Sequence, residues 1–220
     1  KVASSVEELD VSNRKTENLD LDQARTCLIE LSMDIGKRDF EVLSKIVIDE
    51  YKNPDSSTLR KFINDKGIDL EFVKDGDKFA VQAKQKKQSN TVGIKFLHEF
   101  VGSAFAIEDF DDGFYITTSS YTKNGKDRVE DELELINGEE LVSIMINNEI
   151  GIDKNGDNFD IDVEFWENFN SNNAEINTSN IPQANRISVV EKCILAVSEG
   201  YHYRPEILSY LTNNTNNISS

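Results

Sequence analysis

Three side chains that could act together on a phosphate ester lie near one another in the sequence: Asp69, Gln82 and Lys84. A carboxylate and an amide oxygen are ligands that Mg²⁺ accepts while it keeps several waters. A bound metal polarises a phosphoryl group, and a neighbouring lysine can offset charge that develops on phosphorus. These residue types therefore suit metal-assisted phosphodiester hydrolysis. The alternative is an ordinary hairpin in which Asp69 and Lys84 form a surface ion pair.

A predicted β-hairpin would bring the three side chains together. Segments 67–73 and 78–84 alternate like strands, and Asp75-Gly76 between them is typical of a type I′ turn. In that register the numbers of paired residues sum to 151, as 75 and 76 do, so Asp69 lies opposite Gln82. The face away from these side chains is apolar, with the predicted pairs Ile68–Ala83, Leu70–Val81 and Phe72–Phe79.

The overall charge argues against a nucleic-acid partner, because 41 acidic residues against 24 basic ones give a net charge of −17. The charge is unevenly distributed, however. Residues 78–98 contain no Asp or Glu but carry Lys78, Lys84, Lys86, Lys87 and Lys95. This stretch is either a solvated basic loop or a surface for phosphate.

The hydrophobic pattern predicts an α/β sandwich with a mixed sheet, because helical and strand-like segments alternate. Helices are predicted over 21–34 and 38–51, from Thr91, and over 122–131 and 139–147; strands follow the hairpin at 113–119 and 133–136.

Several classes of protein are disfavoured. Cys27 and Cys193 give neither a disulfide framework nor a zinc site, and His98 and His202 make a histidine-based metal site or catalytic triad improbable. The chain has no long apolar run and does not open on a signal segment, so a cytoplasmic protein is expected.

The hairpin residues carry a resemblance to a known family. Ile68-Asp69-Leu70 followed by Val81-Gln82-Ala83-Lys84 resembles the Asp…Gln-x-Lys variant of the PD-(D/E)xK nuclease motif, as found in Mrr-type restriction endonucleases. The resemblance covers about residues 38–150. Four further segments resemble the family in the expected order: Asp39-Phe40-Glu41, Val92-Gly93-Ile94-Lys95, the run from Phe114 to Thr122, and the run from Leu135 to Leu141.

This resemblance implies a restriction-endonuclease-like three-layer core and a DNA endonuclease of type II or type IV character. Asp69 and Gln82 would be metal ligands for Mg²⁺, with Mn²⁺ as a substitute, and Lys84 the catalytic lysine. Glu41 would be a supporting acid, or else a solvated carboxylate in the first turn of its helix. The partner would be double-stranded DNA, and cutting both strands would require a homodimer or a larger assembly.

Four residues are expected to contact DNA: Lys86, Lys87, Ser119 and Ser120. The two serines lie where a strand passes to a helix, so they could donate to a phosphate or simply cap the helix. A competing hypothesis is an inactive DNA-binding or interaction module that keeps the nuclease fold.

A third hypothesis, a calcium-dependent interaction protein, depends on residues 153–164. Their acidic spacing imitates a calcium-binding loop, but Asn158 stands where that loop needs glycine. A turn leading into a strand over 159–166 is the favoured interpretation.

The same patterns divide the chain into four parts: an arm and helix over 1–35, the nuclease domain over 36–168, a polar linker over 169–186, and a partial helix-turn-helix-like segment over 187–220.

Overall fold

The computed structural model of the protein describes residues 17–60, 67–129 and 131–172. The helices are α1 (Leu21–Asp34), α2 (Lys37–Lys52), α3 (Ile94–Val101), α4 (Lys123–Val129), α5 (Gly138–Asn147) and α6 (Val163–Asn172), and a π-helical segment, Gly102–Ile107, continues α3. The strands are β1 (Ser56–Leu59), β2 (Leu70–Lys74), β3 (Asp77–Lys84), β4 (Asp112–Thr117), β5 (Glu134–Ile136), β6 (Ile152–Asn155) and β7 (Asn158–Ile161). Within these residues no helix is both long and apolar enough to cross a membrane.

Five strands form one mixed sheet in the order β1-β2-β3-β4-β5. β1, β2 and β3 pair antiparallel, whereas β3, β4 and β5 pair parallel. Parallel neighbours need crossover connections, and here α3 with the π-helical segment and then α4 supply them. The carboxyl ends of β3 and β4 therefore lie at one edge of the sheet.

Helices cover both faces of this sheet. Successive side chains of a strand point to opposite faces, and along β3 Val81 belongs to the same hydrophobic cluster as Leu43 of α2 and Leu141 of α5. The adjacent Ala80 belongs instead to the cluster of Leu97 of α3. The result is the three-layer α/β core with a mixed central sheet that the sequence predicts.

Helix α1 shares the core of α2 and α5. Its buried residues Cys27, Leu28 and Leu31 belong to the same hydrophobic cluster as Phe40 of α2. The predicted boundary between 35 and 36 thus lies between two helices of one core, and as a domain boundary it stays a prediction. The first four residues of the predicted linker, 169–172, form the end of α6, whereas the rest of the linker and the C-terminal helical segment lie outside the described residues.

Helix α5 is seated tightly against the end of β4. Its first residue, Gly138, donates its amide to the carbonyl of Ser119 at 2.8 Å. A Cβ atom at Gly138 would lie 2.6 Å from the carbonyl oxygen of Thr118, which is backbone and cannot turn aside. Only glycine permits this approach, which fixes α5 beside the strand end.

Residues 153–164 form a hairpin followed by a helix, so the predicted strand over 159–166 is wrong in its second half. Helix α6 begins at Val163, where the Asp162 side chain accepts the amide of Phe165 at 3.0 Å. Trp166 is buried and donates its indole N–H to the carbonyl of Gly151 at 2.8 Å. The Asp160 carboxylate accepts protein donors, including the Asn18 amide at 2.7 Å, which argues against a calcium-binding loop.

Candidate active site at the end of the central hairpin

Asp69 lies immediately before β2, where the β2–β3 ladder ends. The residue is only 7% exposed, and its carboxylate accepts the Ala83 backbone amide at 2.8 Å. The same oxygen, Oδ2, accepts a hydrogen bond from Nε2 of Gln82. A buried carboxylate is thereby held by two donors at the far end of β3, where Lys84 is the last residue.

The hairpin register is the predicted one as far as Leu70, which pairs with Val81. Beyond this point the chain departs from the prediction. The amide of Asp69 donates to the carbonyl of Val81 at 2.9 Å, one residue short of its predicted partner. Ile68 consequently packs in the α3 layer, on the face opposite Ala83, so the predicted Ile68–Ala83 pair is wrong. The structure still brings Asp69 into contact with Gln82.

Gly67 leaves room for the Gln82 amide. A Cβ atom at Gly67 would lie 3.2 Å from Oε1 of Gln82, and Gly67 has a φ of +78°, which favours glycine. In the structure Nε2 of Gln82 faces Asp69. A half-turn about the last side-chain bond would present Oε1 to the same place, because an amide carries a donor and an acceptor at equivalent positions.

Lys84 follows Gln82 by two residues on β3, so both side chains point to the same face. Lys84 is exposed and pairs in register with Thr117 of β4. An exposed ammonium at the strand end is open to a ligand that approaches this edge of the sheet. The structure therefore joins Asp69 to Gln82 and places Lys84 two residues further along β3, while the role of the three residues as a catalytic site stays a prediction.

Glu41 is linked to this neighbourhood through other residues. It is 7% exposed, lies in α2 just after the first turn, and forms an ion pair with Arg38. Arg38 also donates to the carbonyl of Arg60 at 3.1 Å, and the amide of Arg60 donates to the carbonyl of Asp69 at 2.9 Å. Glu41 is thus linked to the Asp69 backbone and is not a freely solvated carboxylate.

Tyr115 lies beside Gln82 in the sheet, although no local sequence pattern indicates it. It pairs in register with Gln82 across β3 and β4 and is 2% exposed. Burial raises the pKa of its phenol, and the nearby charges of Asp69 and Glu99 raise it further. The position of Tyr115 beside Gln82 is evident only from the parallel pairing of β3 and β4, which are far apart in sequence.

The basic segment, residues 84–90, is tied to the end of β4 by buried hydroxyl groups. Thr117 donates to the carbonyl of Lys84 at 2.7 Å, and Thr118 donates to the carbonyl of Lys86 at 2.6 Å. Ser119 donates to the carbonyl of Asn90 at 2.6 Å. We call Thr117, Thr118 and Ser119 the hydroxyl ladder.

The residues predicted to contact DNA differ in their surroundings. Lys87 and Ser120 are exposed. The Lys86 ammonium lies 4.7 Å from the ring centre of Phe96 and donates to the carbonyl of Thr91 at 3.2 Å. Ser119 is buried with its hydroxyl already donated, so of the two serines only Ser120 offers a side chain to solvent.

The possible metal ligands are few. Within residues 17–60, 67–129 and 131–172 no three His, Cys, Asp or Glu side chains converge as a metal-binding group. The available donor set is the Asp69 carboxylate and the Gln82 amide, both of which offer hard oxygen atoms. Such a set fits an ion that keeps much of its water, as Mg²⁺ does.

Comparisons with known proteins place the chain among nucleases. The sequence profile of the family Mrr_cat, described as restriction endonuclease, matches residues 34–145, just over half of the chain. The chain is 40% identical over 78 residues to the type IV methyl-directed restriction enzyme EcoKMrr of Escherichia coli (strain K12), a match that covers 34% of this chain and 25% of that enzyme.

Two solved structures are also similar. The DNA modification-dependent restriction endonuclease AspBHI matches 70% of this chain and 40% of its own, with 17% identity and a TM-score of 0.51. The MspJI restriction endonuclease in complex with a 27-mer oligonucleotide matches 63% of this chain and 31% of its own, with 16% identity and a TM-score of 0.42. The similarity to AspBHI bears on the fold alone.

Proposed function

The chain belongs to the Mrr-type restriction endonuclease family, and on that premise we propose that it is a metal-dependent endonuclease acting on double-stranded DNA. The observation that carries the proposal is the contact between Asp69 and Gln82 at the end of β3, two residues before the exposed Lys84. An inactive module would have no need to keep these three groups together.

Asp69 and Gln82 are the residues that would hold the metal, Mg²⁺ with Mn²⁺ as a substitute. The Asp69 carboxylate supplies the charge, and the Gln82 amide supplies a neutral oxygen after a half-turn. A divalent ion bound there supplies Lewis-acid polarisation of a phosphodiester.

Lys84 places a positive charge beside the bound phosphate, where it stabilises the negative charge that develops on phosphorus and can orient a water. Glu41 acts as a supporting acid, and Arg38 holds its carboxylate in place. The link from Arg38 through Arg60 to Asp69 supports the assignment of Glu41 to this site.

DNA would approach along the basic segment. Lys86 and Lys87 lie beyond Lys84 in the acid-free stretch 78–98, and the carbonyl of the exposed Ser120 accepts the Val92 amide of the same stretch at 2.8 Å. Since the net charge of the chain is −17, phosphate contacts should concentrate here. Ser119 would contribute by holding this segment.

Cutting both strands needs two sites, so we propose that a homodimer or larger assembly acts on DNA. The matched part of EcoKMrr is a quarter of that enzyme. EcoKMrr is methyl-directed and AspBHI is DNA modification-dependent. For this chain we propose either cleavage of unmodified DNA, as by type II enzymes, or cleavage that requires modified bases, as by type IV enzymes. A cytoplasmic location stays a prediction.

The test is cleavage of methylated and unmodified plasmid with Mg²⁺, Mn²⁺ or EDTA, alongside Lys84→Ala and Asp69→Ala. We expect metal-dependent cleavage by the native chain and none by either variant, with circular dichroism unchanged. DNA binding without cleavage under every condition would establish the inactive module instead. Preference for one plasmid would settle the question of modification.

A further inference from the structure

Beyond Lys84 the chains of β3 and β4 separate and then meet again. Lys84 pairs with Thr117, and the next backbone pairing is the parallel bridge between Val92 and Tyr121. One chain advances eight residues between these points (84 to 92) and the other advances four (117 to 121). The longer path must bow away from the shorter one, and it carries Lys86 and Lys87.

The hydroxyl ladder spans the gap between the two paths. Thr118 both donates to the carbonyl of Lys86 at 2.6 Å and accepts the Lys86 amide at 2.8 Å, a two-point clamp on one residue. Gln88 adds a bond from its side-chain amide to the carbonyl of Thr118 at 2.7 Å. Between Lys84 and Val92, where the two paths no longer pair through their backbones, side chains thus hydrogen-bond backbone groups of both paths.

The three ladder hydroxyls cannot themselves contact DNA. Thr117 and Thr118 are fully buried, Ser119 is 2% exposed, and each hydroxyl hydrogen is donated to a carbonyl. We propose that the ladder positions the reactive and phosphate-binding lysines of the nuclease site, an inference that rests on the proposed function.

The members of the hydroxyl ladder hold different parts of the longer path. Thr117 bonds the carbonyl of Lys84 and sets the direction of the catalytic lysine. Thr118 and Ser119 hold the bowed path at Lys86 and Asn90 and set the phosphate-binding surface. The loss of Thr117 should therefore slow cleavage more than it weakens binding, and the loss of Thr118 should weaken binding more than it slows cleavage.

The experiment compares Thr117→Val and Thr118→Val, which keep the side-chain shape and remove the hydroxyl. The matched control is Thr26→Val in α1, whose hydroxyl donates to the carbonyl of Asp22 at 2.8 Å far from the site in sequence. Single-turnover cleavage is measured at saturating DNA with Mg²⁺, and DNA affinity is measured in EDTA. Loss of one positioning hydrogen bond should change the relevant quantity by about tenfold.

Thr117→Ser restores the hydroxyl and should recover most of the rate, which a packing role of the methyl group would not explain. Equal effects of Thr117→Val on rate and affinity, equal losses in Thr26→Val, or no recovery in Thr117→Ser would overturn the proposal. If Thr117→Val fails to fold, Ser119→Ala serves instead, with weaker DNA affinity expected and unchanged affinity counting against the ladder.

Amide hydrogen exchange gives a readout that does not depend on nuclease activity. Thr118→Val should speed exchange at the Lys86 amide, which the Thr118 hydroxyl accepts, by tenfold or more. An unchanged exchange rate at the Lys86 amide would overturn the proposed role of the hydroxyl ladder, even if the variant still cleaves DNA. Faster exchange in a protein that neither binds nor cuts DNA would keep the ladder and reject the proposed nuclease site.

Discussion

At the scale of single residues, the contact between Asp69 and Gln82 joins one charged group to one neutral group. Two carboxylates in contact would repel each other without a cation, whereas an amide donates a hydrogen bond to its neighbour. The pair can therefore keep its geometry before any metal binds. A divalent ion then meets a site with a single negative charge from this pair.

Gln82→Glu tests this account. The second carboxylate removes a donor to buried Asp69 and adds repulsion, so we expect the metal-free protein to lose about 1–3 kcal/mol of stability. Mg²⁺ should relieve the repulsion and raise the melting temperature more than it does in the native chain. Thermal unfolding in EDTA and with Mg²⁺ measures both effects.

The control for this substitution is Gln23→Glu in α1, where the side chain accepts the amide of Asp20 and a carboxylate can do the same. Equal stabilisation of the native chain and Gln82→Glu by Mg²⁺ would contradict the proposed relief of carboxylate repulsion by a metal at this pair.

Tyr115 gives the protein a predicted sensitivity to alkali. Burial and the charge of Asp69 raise the pKa of its phenol above the value of about 10 found in unfolded chains. The unfolded state therefore loses its proton first, and this part of the stability is present below pH of about 10 and falls as the pH rises further. Tyr115→Phe should flatten the loss of stability above that pH.

Denaturant unfolding across alkaline pH measures this slope. Tyr51→Phe is the control, because Tyr51 is 43% exposed. The same alkaline slope in Tyr115→Phe and in the native chain would remove Tyr115 as its source.

At the scale of elements, the sequence predicts those strands and helices that a local pattern of residues specifies. Alternating residues around Asp75-Gly76 give the β2–β3 register, and helical periodicity gives α2 and α5. Strand β1 is not predicted, because Ser56–Leu59 is short, largely polar and ordered by pairing with β2. Its extended form is a consequence of tertiary contacts.

The candidate site likewise combines features that the sequence predicts with features that it does not. The placement of Gln82 and Lys84 on one face of β3 follows from one local register, so the sequence can predict it. The departure of Asp69 from that register depends on a hydrogen bond to Val81, and the positions of Tyr115 and Arg60 depend on other strands. These contacts join segments that no local pattern relates.

The seating of α5 on β4 predicts a steric cost at one position. In Gly138→Ala the new Cβ would meet the backbone carbonyl of Thr118 at 2.6 Å, so we expect a loss of about 1–3 kcal/mol. Denaturant unfolding measures it. Gly102→Ala is the control, because its Cβ would have no neighbour within 4 Å, and its stability should be retained. Similar stabilities for the two variants would refute the tight seating.

At the scale of the whole molecule, charge is arranged along the strands. The parallel strands begin with acidic residues, Asp77, Asp112 and Glu134, whereas the end of β3 leads into the basic segment. Because β3, β4 and β5 are parallel, their acidic starts share one end of the sheet. Such a polarised surface should steer DNA toward the opposite end, where Lys84 lies.

The contribution of Lys86 and Lys87 to DNA binding can be measured from the salt dependence of DNA affinity. Replacing both with alanine should weaken binding across sequences and reduce the salt slope by about one unit per lost phosphate contact. Lys78→Ala, at the start of β3, is the control and should leave the slope unchanged. A slope that falls with Lys78→Ala but not with the double variant would move the DNA path to the other end of the sheet.

The unequal paths between Lys84 and Val92 have a consequence for variation in length. Residues added between Lys87 and Asn90 would enlarge the bow, while the pairing of Lys84 with Thr117 would keep its register. An insertion or a grafted loop at this point could extend the reach of the DNA-facing surface without redesigning the cutting residues. The fold thus separates the part of the chain that can change in size from the part that must stay in place.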